Sequence, residues 1–420
     1  VLGRFRDDGR LLLTYGEQTV ADLRMDFLHG GRPQRVLQAR FRSPLPQAYG
    51  PGDSSDTADN AGWLLRLLAH PNIACKREII RQYDHEVGAG TVVRPLVGHD
   101  GPADAAVLRP LLSSRSGTVN AGWRGVVVAH GINPRYGALD PHAMALLTVD
   151  EALRNLVAAG GSIDRAALLD NFCWGDVDDP EVLGTLVRAA QGCRDAAGIY
   201  RVPFISGKDS LRNCTHDASG RHSIPGTLLI SAVGTIPDAR RAVTMDLKRA
   251  GNSLYLLGIT GAEFGGSHYL EVRGIAGGRV PRVRPEETPH LMRRLTRAIR
   301  RGLVTSCHDL SEGGLAVAAA EMAIAGRLGL EIELAAAAWP GPNYPGEALL
   351  FAESPGRFLV EVSEERASTF ERLMGGVPCA RLGTVCSAPR LGIQFGGAWL
   401  IDLPVSLLES RWKGVRYGRA

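Results

Sequence analysis

Residues 306–326 read SCHDLSEGGLAVAAAEMAIAG, which predicts the end of a strand that runs into an alanine-rich helix. Asp309 and Ser311 precede the apolar periodicity, where either side chain would serve as the N-cap of the helix. Two glycines, Gly313 and Gly314, follow in the first turn, although glycine costs helix stability. Their presence favours a helix start at which a ligand approaches free backbone N–H groups, which attract anions.

Strand-like and helical segments alternate on both sides of this stretch. The predicted strands include RVLQARF (35–41), GVVVAH (125–130), AALLDNF (166–172), VPFIS (202–206) and GTLLISAVGTI (226–236). The predicted helices lie near 149–159, over 180–198 and 287–302, and at the closing VSLLESRWKGV (405–415). LLFAESPGRFLVEV (349–362) is interpreted as strand, turn and strand. This alternation predicts an α+β fold built of α/β layers.

Composition and local patterns predict the domain organisation. Residues 1–42 alternate as strands but are too few to bury a core alone. Residues 43–62 are rich in Pro, Gly, Ser and Asp and are predicted to be a linker. Two larger domains follow, at 63–240 and at 241–420. Because the chain lacks an initiator Met and opens as if within a strand, we expect a fragment or a split subunit.

Bulk properties exclude several classes of protein. The 420 residues are 45% hydrophobic and 22% charged, as in ordinary globular proteins. A net charge of +4 is too small to indicate binding to nucleic acid or to a membrane surface. There is no run of about 18 apolar residues that would span a membrane. Seven cysteines without a C-x-x-C pair indicate reduced cytoplasmic thiols rather than disulfides or a zinc site.

FISGKDSLRN (204–213) is a candidate phosphate-binding stretch. It is not a Walker A loop, because Asp209 follows Lys208 and Val202 stands five residues before Gly207. A glycine, a cation and a hydroxyl still suit a phosphate, and a carboxylate suits its magnesium. The alternative is a turn at the end of a strand with a solvated lysine, and these residues alone leave both interpretations open.

Two further sets of residues are candidate ligands. Glu151 and Asn155 are four residues apart, so on a helix they share one face and offer oxygens to a hard cation such as Mg²⁺. The alternative for this pair is ordinary polar exposure. In LLDNFCWGD (168–176), Asp170 ends a strand-like run and Asp176 follows in an aromatic loop. Carboxylates at the ends of strands are common binding groups.

Seven motifs, in their order and spacing, resemble the second half of the phosphoribosylformylglycinamidine synthase family. They are IIRQYDHEV (79–87), GPADAAVLRP (101–110), DEALRNL (150–156), LLDNFCWGD, PFISGKDSL (203–211), CHDLSEGGL (307–315) and LFAESPGRF (350–358). The C-terminal LLESRWKG (407–414) also matches. The resemblance implies a module like aminoimidazole ribonucleotide (AIR) synthetase, with an N-terminal mixed-sheet domain and a C-terminal α/β domain. Residues 1–42 resemble the end of the preceding repeat of that family.

This resemblance implies ATP-dependent amidation of formylglycinamide ribonucleotide with Mg²⁺, using ammonia from a glutaminase subunit or domain. The positions that match family contacts to nucleotide or substrate are Ala129, Asp170, Gly207, Lys208, Ser210 and Ser311. The positions that match magnesium ligands are Glu151, Asn155, Asp309 and His130. His130 departs from the family pattern, because long-form relatives have an aspartate there. We further predict, on electrostatic grounds, that Lys208 contacts nucleotide phosphates and that Asp209 and Ser210 position metal or phosphate beside it, at the same magnesium as Glu151 and Asp309.

The resemblance also implies that a part of the catalytic machinery is absent. The catalytic histidine of the family lies in an S-H-N-H-P segment of the first half, and no such segment occurs here. His85 matches a different first-half histidine and is interpreted as a packed or surface residue. We therefore expect the chain to be inactive without the N-terminal half of the synthase or a second copy.

Two alternatives to this enzyme half remain. One is a non-catalytic nucleotide-binding module that scaffolds a partner. The other is a stand-alone kinase or ligase of the AIR synthetase superfamily, such as a selenophosphate synthetase or a thiamine-phosphate kinase. A selenophosphate synthetase would need a Cys or Sec and a lysine near its N-terminus, and the first 70 residues contain neither cysteine nor lysine.

Overall fold

The computed structural model describes residues 2–31, 33–43, 59–110, 121–337 and 346–415, and it divides into two compact units, 1–39 and 40–420. The first unit is an antiparallel hairpin of β1 (Arg10–Tyr15) and β2 (Gln18–Arg24), followed by α1 (Met25–Gly30). None of its described residues is buried, as expected for a segment too short to have its own core. The predicted strand at 35–41 is wrong: this segment pairs with no strand of the described ranges, and a strand requires a hydrogen-bonding partner.

The second unit begins with α2 (Asn60–Leu68), α3 (Arg77–Ile80), β3 (Thr91–Val93), β4 (Leu96–Val97), β5 (Gly101–Pro102) and β6 (Ala106–Leu108). It continues with β7 (Gly125–Ile132), α4 (Pro134–Gly137), α5 (Pro141–Ala158), β8 (Ala166–Trp174), α6 (Pro180–Tyr200), β9 (Phe204–Leu211), β10 (Cys214–Asp217), β11 (Gly220–Ser223) and β12 (Thr227–Ile236).

The remaining elements begin with β13 (Ser253–Leu257), α7 (His268–Val272), α8 (Thr288–Arg300), β14 (Ser306–Asp309), α9 (Gly314–Gly326) and β15 (Gly329–Glu333). They end with α10 (Gly346–Phe351), β16 (Phe358–Val362), α11 (Glu364–Met374), β17 (Cys379–Cys386), β18 (Arg390–Phe395), β19 (Ala398–Pro404) and α12 (Val405–Lys413).

The N-terminal sheet has six strands in the order β3-β6-β7-β12-β8-β9. The strands pair antiparallel except β8 and β9, which are parallel, so the sheet is mixed as predicted. Alternate residues of β7 are buried, namely Val127 and Ala129, while Val128 and His130 lie on the opposite face and are exposed. This alternation is typical of a sheet with one face against helices, here α5 and α6, and one open face.

The C-terminal sheet has seven strands in the order β14-β16-β13-β17-β15-β18-β19. Every residue of β13 is buried, because helices cover both faces of this sheet at its centre. Tyr255 and Leu257 face a core that includes α8, α11 and the α5 layer, whereas Leu254 and Leu256 face α9, α12 and α2. The first of these cores is continuous with that of the N-terminal sheet, which confirms the α+β class.

The segment 60–75 packs in the C-terminal half of the molecule. Trp63 and Leu64 of α2 belong to the core around α9, and the Trp412 side chain of α12 donates a hydrogen bond from Nε1 to the Ile73 carbonyl, at 3.0 Å. The Trp412 carbonyl in turn accepts from the Cys75 N–H, at 3.0 Å. The domain boundaries at 63–240 and 241–420 stay a prediction. The predicted linker lies largely outside the described residues.

Most predicted elements are present, and the further differences include one helix and one strand. The helix predicted near 149–159 begins earlier, at Pro141, because Asp140 caps it by accepting from the N–H groups of His142 and Ala143. The first strand predicted in 349–362 is wrong, since this part of the chain forms α10. Its sequence GEALLF contains strong helix formers, and α10 packs against α9.

Candidate functional site

A cleft of about 520 Å³ lies where β7 and α5 meet the loop between β14 and α9. The predicted site residues that line it are His130, Glu151, Asn155, Asp309 and Ser311. The turn at 72–76 and residues 100–104 form further walls. The fold therefore brings together all four predicted metal ligands and one predicted nucleotide contact, from segments more than 150 residues apart in sequence.

Helix α5 presents Glu151 and Asn155 on the face that meets β7. Glu151 accepts a hydrogen bond from the Ile132 N–H through Oε2, at 3.1 Å. Asn155 donates from Nδ2 to the His130 carbonyl, at 3.0 Å. The backbone of β7 thus holds one polar atom of each side chain, and the Asn155 amide oxygen remains as an acceptor. The predicted shared face is confirmed.

Asp309 is held by a buried arginine. Arg154 of α5 reaches Asp309 Oδ2 with Nε, at 3.4 Å, and with Nη2, at 3.3 Å. The Ser311 hydroxyl donates to the same oxygen and accepts from Arg154 Nη2, at 2.9 Å. Arg154 also pairs with Asp150 one turn earlier. These bonds fix the orientation of the Asp309 carboxylate.

Two residues of the cleft, Asp104 and His308, were not predicted as ligands. Asp104 Oδ1 lies 2.8 Å from His308 Nδ1 and accepts from the Asp309 N–H, at 2.9 Å. His308 Nε2 lies 3.2 Å from Glu321 Oε2. One ligand atom from each of Asp104, His308 and Asp309 lies within 4.8 Å of the others. The sequence signal that points to Asp104 is its position just before a strand, in the motif GPADAAVL. That motif contributed only to the family resemblance.

The cleft carries an excess of buried carboxylates. Burial, followed by the neighbouring Glu312, raises the pKa of Glu151 well above its usual range. Burial likewise raises the pKa of Asp104. Asp104 and Glu321 raise the pKa of His308 well above its usual range although burial opposes them. Clustered carboxylates with raised pKa values gain stability from a bound cation.

Three carboxylates of the cleft share one arrangement. Asp104, Glu151 and Asp309 each have one oxygen fixed by the protein. In the part of the chain that the structure describes, no hydrogen bond or ion pair reaches the second oxygen of any of the three. Carboxylate oxygens and an amide oxygen are the ligands that a hard divalent cation such as Mg²⁺ prefers. The residues present therefore fit a magnesium site.

The glycines at the start of α9 have a conformational role. Gly313 is the N-cap, with φ +75°, and Gly314 has φ +67°, so both adopt the left-handed region that favours glycine. A Cβ on Gly314 would lie 2.5 Å from the Ala352 carbonyl. The Gly313 N–H already donates to Glu353 Oε1, at 2.9 Å. The N-cap role of Asp309 or Ser311 is therefore wrong, whereas the interpretation of an anion at this helix start stays a prediction.

The predicted contacts on β8 and β9 lie away from the cleft. Lys208 and Ser210 lie on the open face of the sheet, where Lys208 Nζ donates to Ser210 Oγ, at 2.7 Å. Asp170 pairs with Gly207 across the strands, and its carboxylate lies where a Gly207 Cβ would approach within 2.6 Å. The strand continues to Leu211, so the alternative of a turn at the end of the strand at Lys208 is wrong.

The isolated chain does not form one magnesium site from residues of both β9 and the cleft. β12 and β8 separate β9 from β7, a distance of three strand spacings or about 14 Å. None of the described residues that line the cleft comes from β9. The predicted common site for Lys208, Asp209, Glu151 and Asp309 is therefore wrong for the chain alone.

Three other singled-out residues have local roles. The methyl group of Ala129 faces the core, so only its backbone is available to a ligand. The buried Asp176 carboxylate pairs with Arg221 and accepts from the Asp178 N–H, which fastens the β10–β11 hairpin. His85 is half-buried, and its carbonyl accepts from the Thr91 hydroxyl. Nothing in these contacts assigns chemistry to Asp176 or His85.

Comparison with known proteins identifies two domains in N-to-C order. Residues 102–236 match the model of the AIR synthase related protein, N-terminal domain, and residues 249–396 match that of the C-terminal domain. Phosphoribosylformylglycinamidine synthase subunit PurL from Deinococcus radiodurans is 36% identical over 98% of this chain and 54% of that protein. The PurL subunit from Alkaliphilus metalliredigens is 33% identical over 99% of this chain and 53% of that protein.

Solved structures show the same fold. Thermotoga maritima PurL complexed with FGAR has a TM-score of 0.64 at 17% identity, over 85% of this chain and 54% of that one. The ADP complex of the same protein has a TM-score of 0.62. HypE in a HypE–HypF complex has a TM-score of 0.52 at 14% identity, over 70% of this chain and 98% of that one. The chain spans about half the length of the curated relatives it matches. It belongs to the AIR synthase related family and is a PurL-type member of it.

Proposed function

We propose that the chain forms the C-terminal half of the synthetase region of a phosphoribosylformylglycinamidine synthase. The reaction is the ATP-dependent amidation of formylglycinamide ribonucleotide in purine biosynthesis. The observation that carries this proposal is the cleft lined by Asp104, Glu151 and Asp309, each of which has one oxygen that no described group bonds. The PurL subunits to which the chain is similar, and the ADP and FGAR complexes of a PurL of the same fold, support the assignment.

Within this function the cleft binds a magnesium nucleotide. Asp104, Glu151, Asp309 and the Asn155 amide oxygen hold Mg²⁺, which when bound neutralises phosphate charge. His130 lines the same cleft as a fifth candidate ligand. Ser311 and the backbone of Ala129 are the proposed nucleotide contacts. Arg154 orients Asp309 and Ser311, so it positions metal and nucleotide ligands without contacting the substrate.

The open face of the N-terminal sheet is the proposed surface for the other half of the synthase. Its exposed or half-buried apolar side chains include Leu108, Val126, Val128, Ile132, Leu169, Leu229 and Val233. Lys208 and Ser210 lie on the same face. A sheet face of this kind needs a cover, and the relatives are about twice as long as this chain. The N-terminal half, or a second copy, would also complete a nucleotide or substrate site around Lys208 and Ser210 on this face. Asp170, paired with Gly207, lies on the opposite face towards α6, and its proposed ligand contact would be made there.

The proposed reaction also requires ammonia, which a glutaminase subunit or domain would supply. The proposed location of the protein is the cytoplasm. All seven cysteines are free, as the reducing cytoplasm maintains them. No described helix is long and apolar enough to cross a bilayer.

The test separates nucleotide binding from turnover. The isolated chain should bind ADP in the presence of Mg²⁺ by calorimetry but should not amidate formylglycinamide ribonucleotide with ATP and ammonia. Adding the N-terminal half should restore turnover. In the isolated chain Glu151→Gln should weaken Mg²⁺-dependent ADP binding, whereas Lys208→Ala should not, because β9 lies outside the cleft. Absence of ADP binding by the wild-type chain would overturn the proposal.

A second candidate is a non-catalytic nucleotide-binding half that scaffolds its partner. It is favoured by one observation, that no S-H-N-H-P segment occurs in the chain. In that case ADP would remain bound and unconsumed while the assembled synthase turns over. Radiolabelled ADP preloaded in the cleft would then stay with the protein through many turnovers.

A further inference from the structure

A second cluster of metal-ligating side chains lies outside the cleft. His70 follows α2, and His268 and Glu271 stand three residues apart on α7, so they share one face of that helix. One ligand atom from each of the three lies within 4.8 Å of the others. His70 Nε2 is 3.2 Å from Glu271 Oε2, and the two imidazole rings are 5.0 Å apart.

His268 is oriented as a metal-binding histidine is. It is 1% exposed, and its Nδ1 lies 3.2 Å from Glu353 Oε1. Glu353 also accepts from the His268 N–H, at 2.9 Å, so the carboxylate is fixed. A histidine whose Nδ1–H donates to a carboxylate keeps the lone pair of Nε2 for a metal. That Nε2 lies 3.0 Å from the side-chain amide of Asn72, within the cluster.

We propose that His70, His268 and Glu271 form a site for a first-row transition metal ion such as Zn²⁺ or Co²⁺. Two imidazoles and one carboxylate are a ligand set that zinc accepts. A half-turn of the Asn72 amide directs its oxygen to the same point as a fourth ligand. Imidazole nitrogen favours these ions over Mg²⁺, so the site differs in selectivity from the oxygen-lined cleft.

Binding requires local rearrangement. His70 Nδ1 accepts from the Asn72 N–H, at 3.2 Å, so its Nε2 carries the proton that points to Glu271. That proton must leave or move to Nδ1 before Nε2 binds a metal, and the metal also competes with Arg135 for Glu271. Below its raised pKa His268 also carries a proton on Nε2, which the metal displaces. Metal binding therefore replaces protons and an ion pair, and the release of protons is general for protein metal sites.

The site would fix one wall of the cleft. Asn72, Ile73 and Ala74 line the cleft, and only Pro71 separates them from His70. A metal that joins His70 to α7 would hold this turn in place. This proposed metal site does not depend on the proposed synthase function.

The first test is calorimetric titration of the full chain with Zn²⁺, in excess Mg²⁺ that occupies the cleft. One equivalent is expected to bind, and His70→Gln and Glu271→Gln are each expected to weaken it by about tenfold or more. His142→Gln is the matched control, because among the residues that the structure describes His142 pairs with a single carboxylate, Asp195, at 2.8 Å. Asp309→Asn should also leave this equivalent intact. Equal Zn²⁺ affinity in the wild type, His70→Gln and Glu271→Gln overturns the proposal.

A second readout does not depend on stoichiometry. Co²⁺ at this site should give the visible absorption of a low-symmetry complex with nitrogen ligands, and it should be lost in His70→Gln. Zn²⁺ should raise the Tm of the wild type and of His142→Gln but not of Glu271→Gln, since a ligand stabilises the state that binds it. His70 and Glu271 are partly exposed, so both variants should fold without metal. A Tm rise that persists in Glu271→Gln contradicts the assignment.

Discussion

At the scale of the residue, the candidate site depends on contacts between distant parts of the sequence. Arg154 and Asp309 are 155 residues apart, and Asp104 and His308 are 204 residues apart. The spacing of Glu151 and Asn155 was visible because it is local to one helix. The orientation of Asp309 by Arg154, and the ligand role of Asp104, have no local pattern and could not be predicted.

Arg154 is expected to be essential for stability. Replacing it with Met leaves the buried Asp150 and Asp309 without their shared cation, which should lower the free energy of unfolding by about 3–5 kcal/mol. Urea denaturation measures the loss. The control is Arg194→Met. Arg194 pairs with Asp195 at the surface, so this substitution should lower the free energy of unfolding by about 0.5 kcal/mol or less. Equal effects of the two substitutions would contradict this role.

His268 should make stability depend on pH. Glu353 and then Glu312 raise its pKa although burial opposes them, so the folded state holds the proton more tightly than the unfolded state. Its contribution is fully present below the unfolded pKa of about 6.5 and is lost as pH rises through the raised folded pKa. In a metal chelator, the stability difference between wild type and His268→Asn should shrink from pH 6 to pH 9. A difference that grows over this range would refute the assignment.

At the scale of the element, patterns predicted most helices and strands, and the exceptions have physical causes. α9 was predicted because its run of alanine and larger apolar residues is typical of a helix buried on all sides. α10 was mistaken for a strand because a short apolar run does not distinguish a strand from a buried helix. The strand predicted at 202–206 ended before the end of β9 at Leu211, because Gly207 and Asp209 are usual in turns. Here both residues lie within an edge strand.

The start of α9 should not tolerate a side chain. In Gly314→Ala the residue keeps a left-handed φ and its Cβ meets the Ala352 carbonyl, so we expect a loss of about 2 kcal/mol or more. Gly198→Ala is the control: Gly198 lies within α6 and an added Cβ meets nothing within 4 Å. That substitution should be neutral or stabilise by up to about 1 kcal/mol. Thermal unfolding of both variants gives the comparison.

At the scale of the whole molecule, the open face of the N-terminal sheet should govern assembly. Val128→Lys places a charge on that face, where Val128 is 37% exposed, and should leave the fold of the isolated chain unchanged. It should abolish association with the N-terminal half, because a buried unpaired charge is costly. Val187→Lys is the control, on α6 and 39% exposed. Sedimentation of each variant mixed with the N-terminal half measures the association. If Val128→Lys and Val187→Lys associate equally well, the open face of the N-terminal sheet is not the contact surface.

The hydrogen bond between Trp412 and Ile73 can form only late in the synthesis of the chain. The two residues are 339 positions apart in the chain. At a synthesis rate of 5–20 residues per second, the ribosome needs roughly 20–70 s to make the second partner after the first. During that interval Trp63, Leu64 and Leu67 lack the α12 surface against which they finally pack. The newly made α2 should therefore be a binding site for chaperones until the last helix emerges.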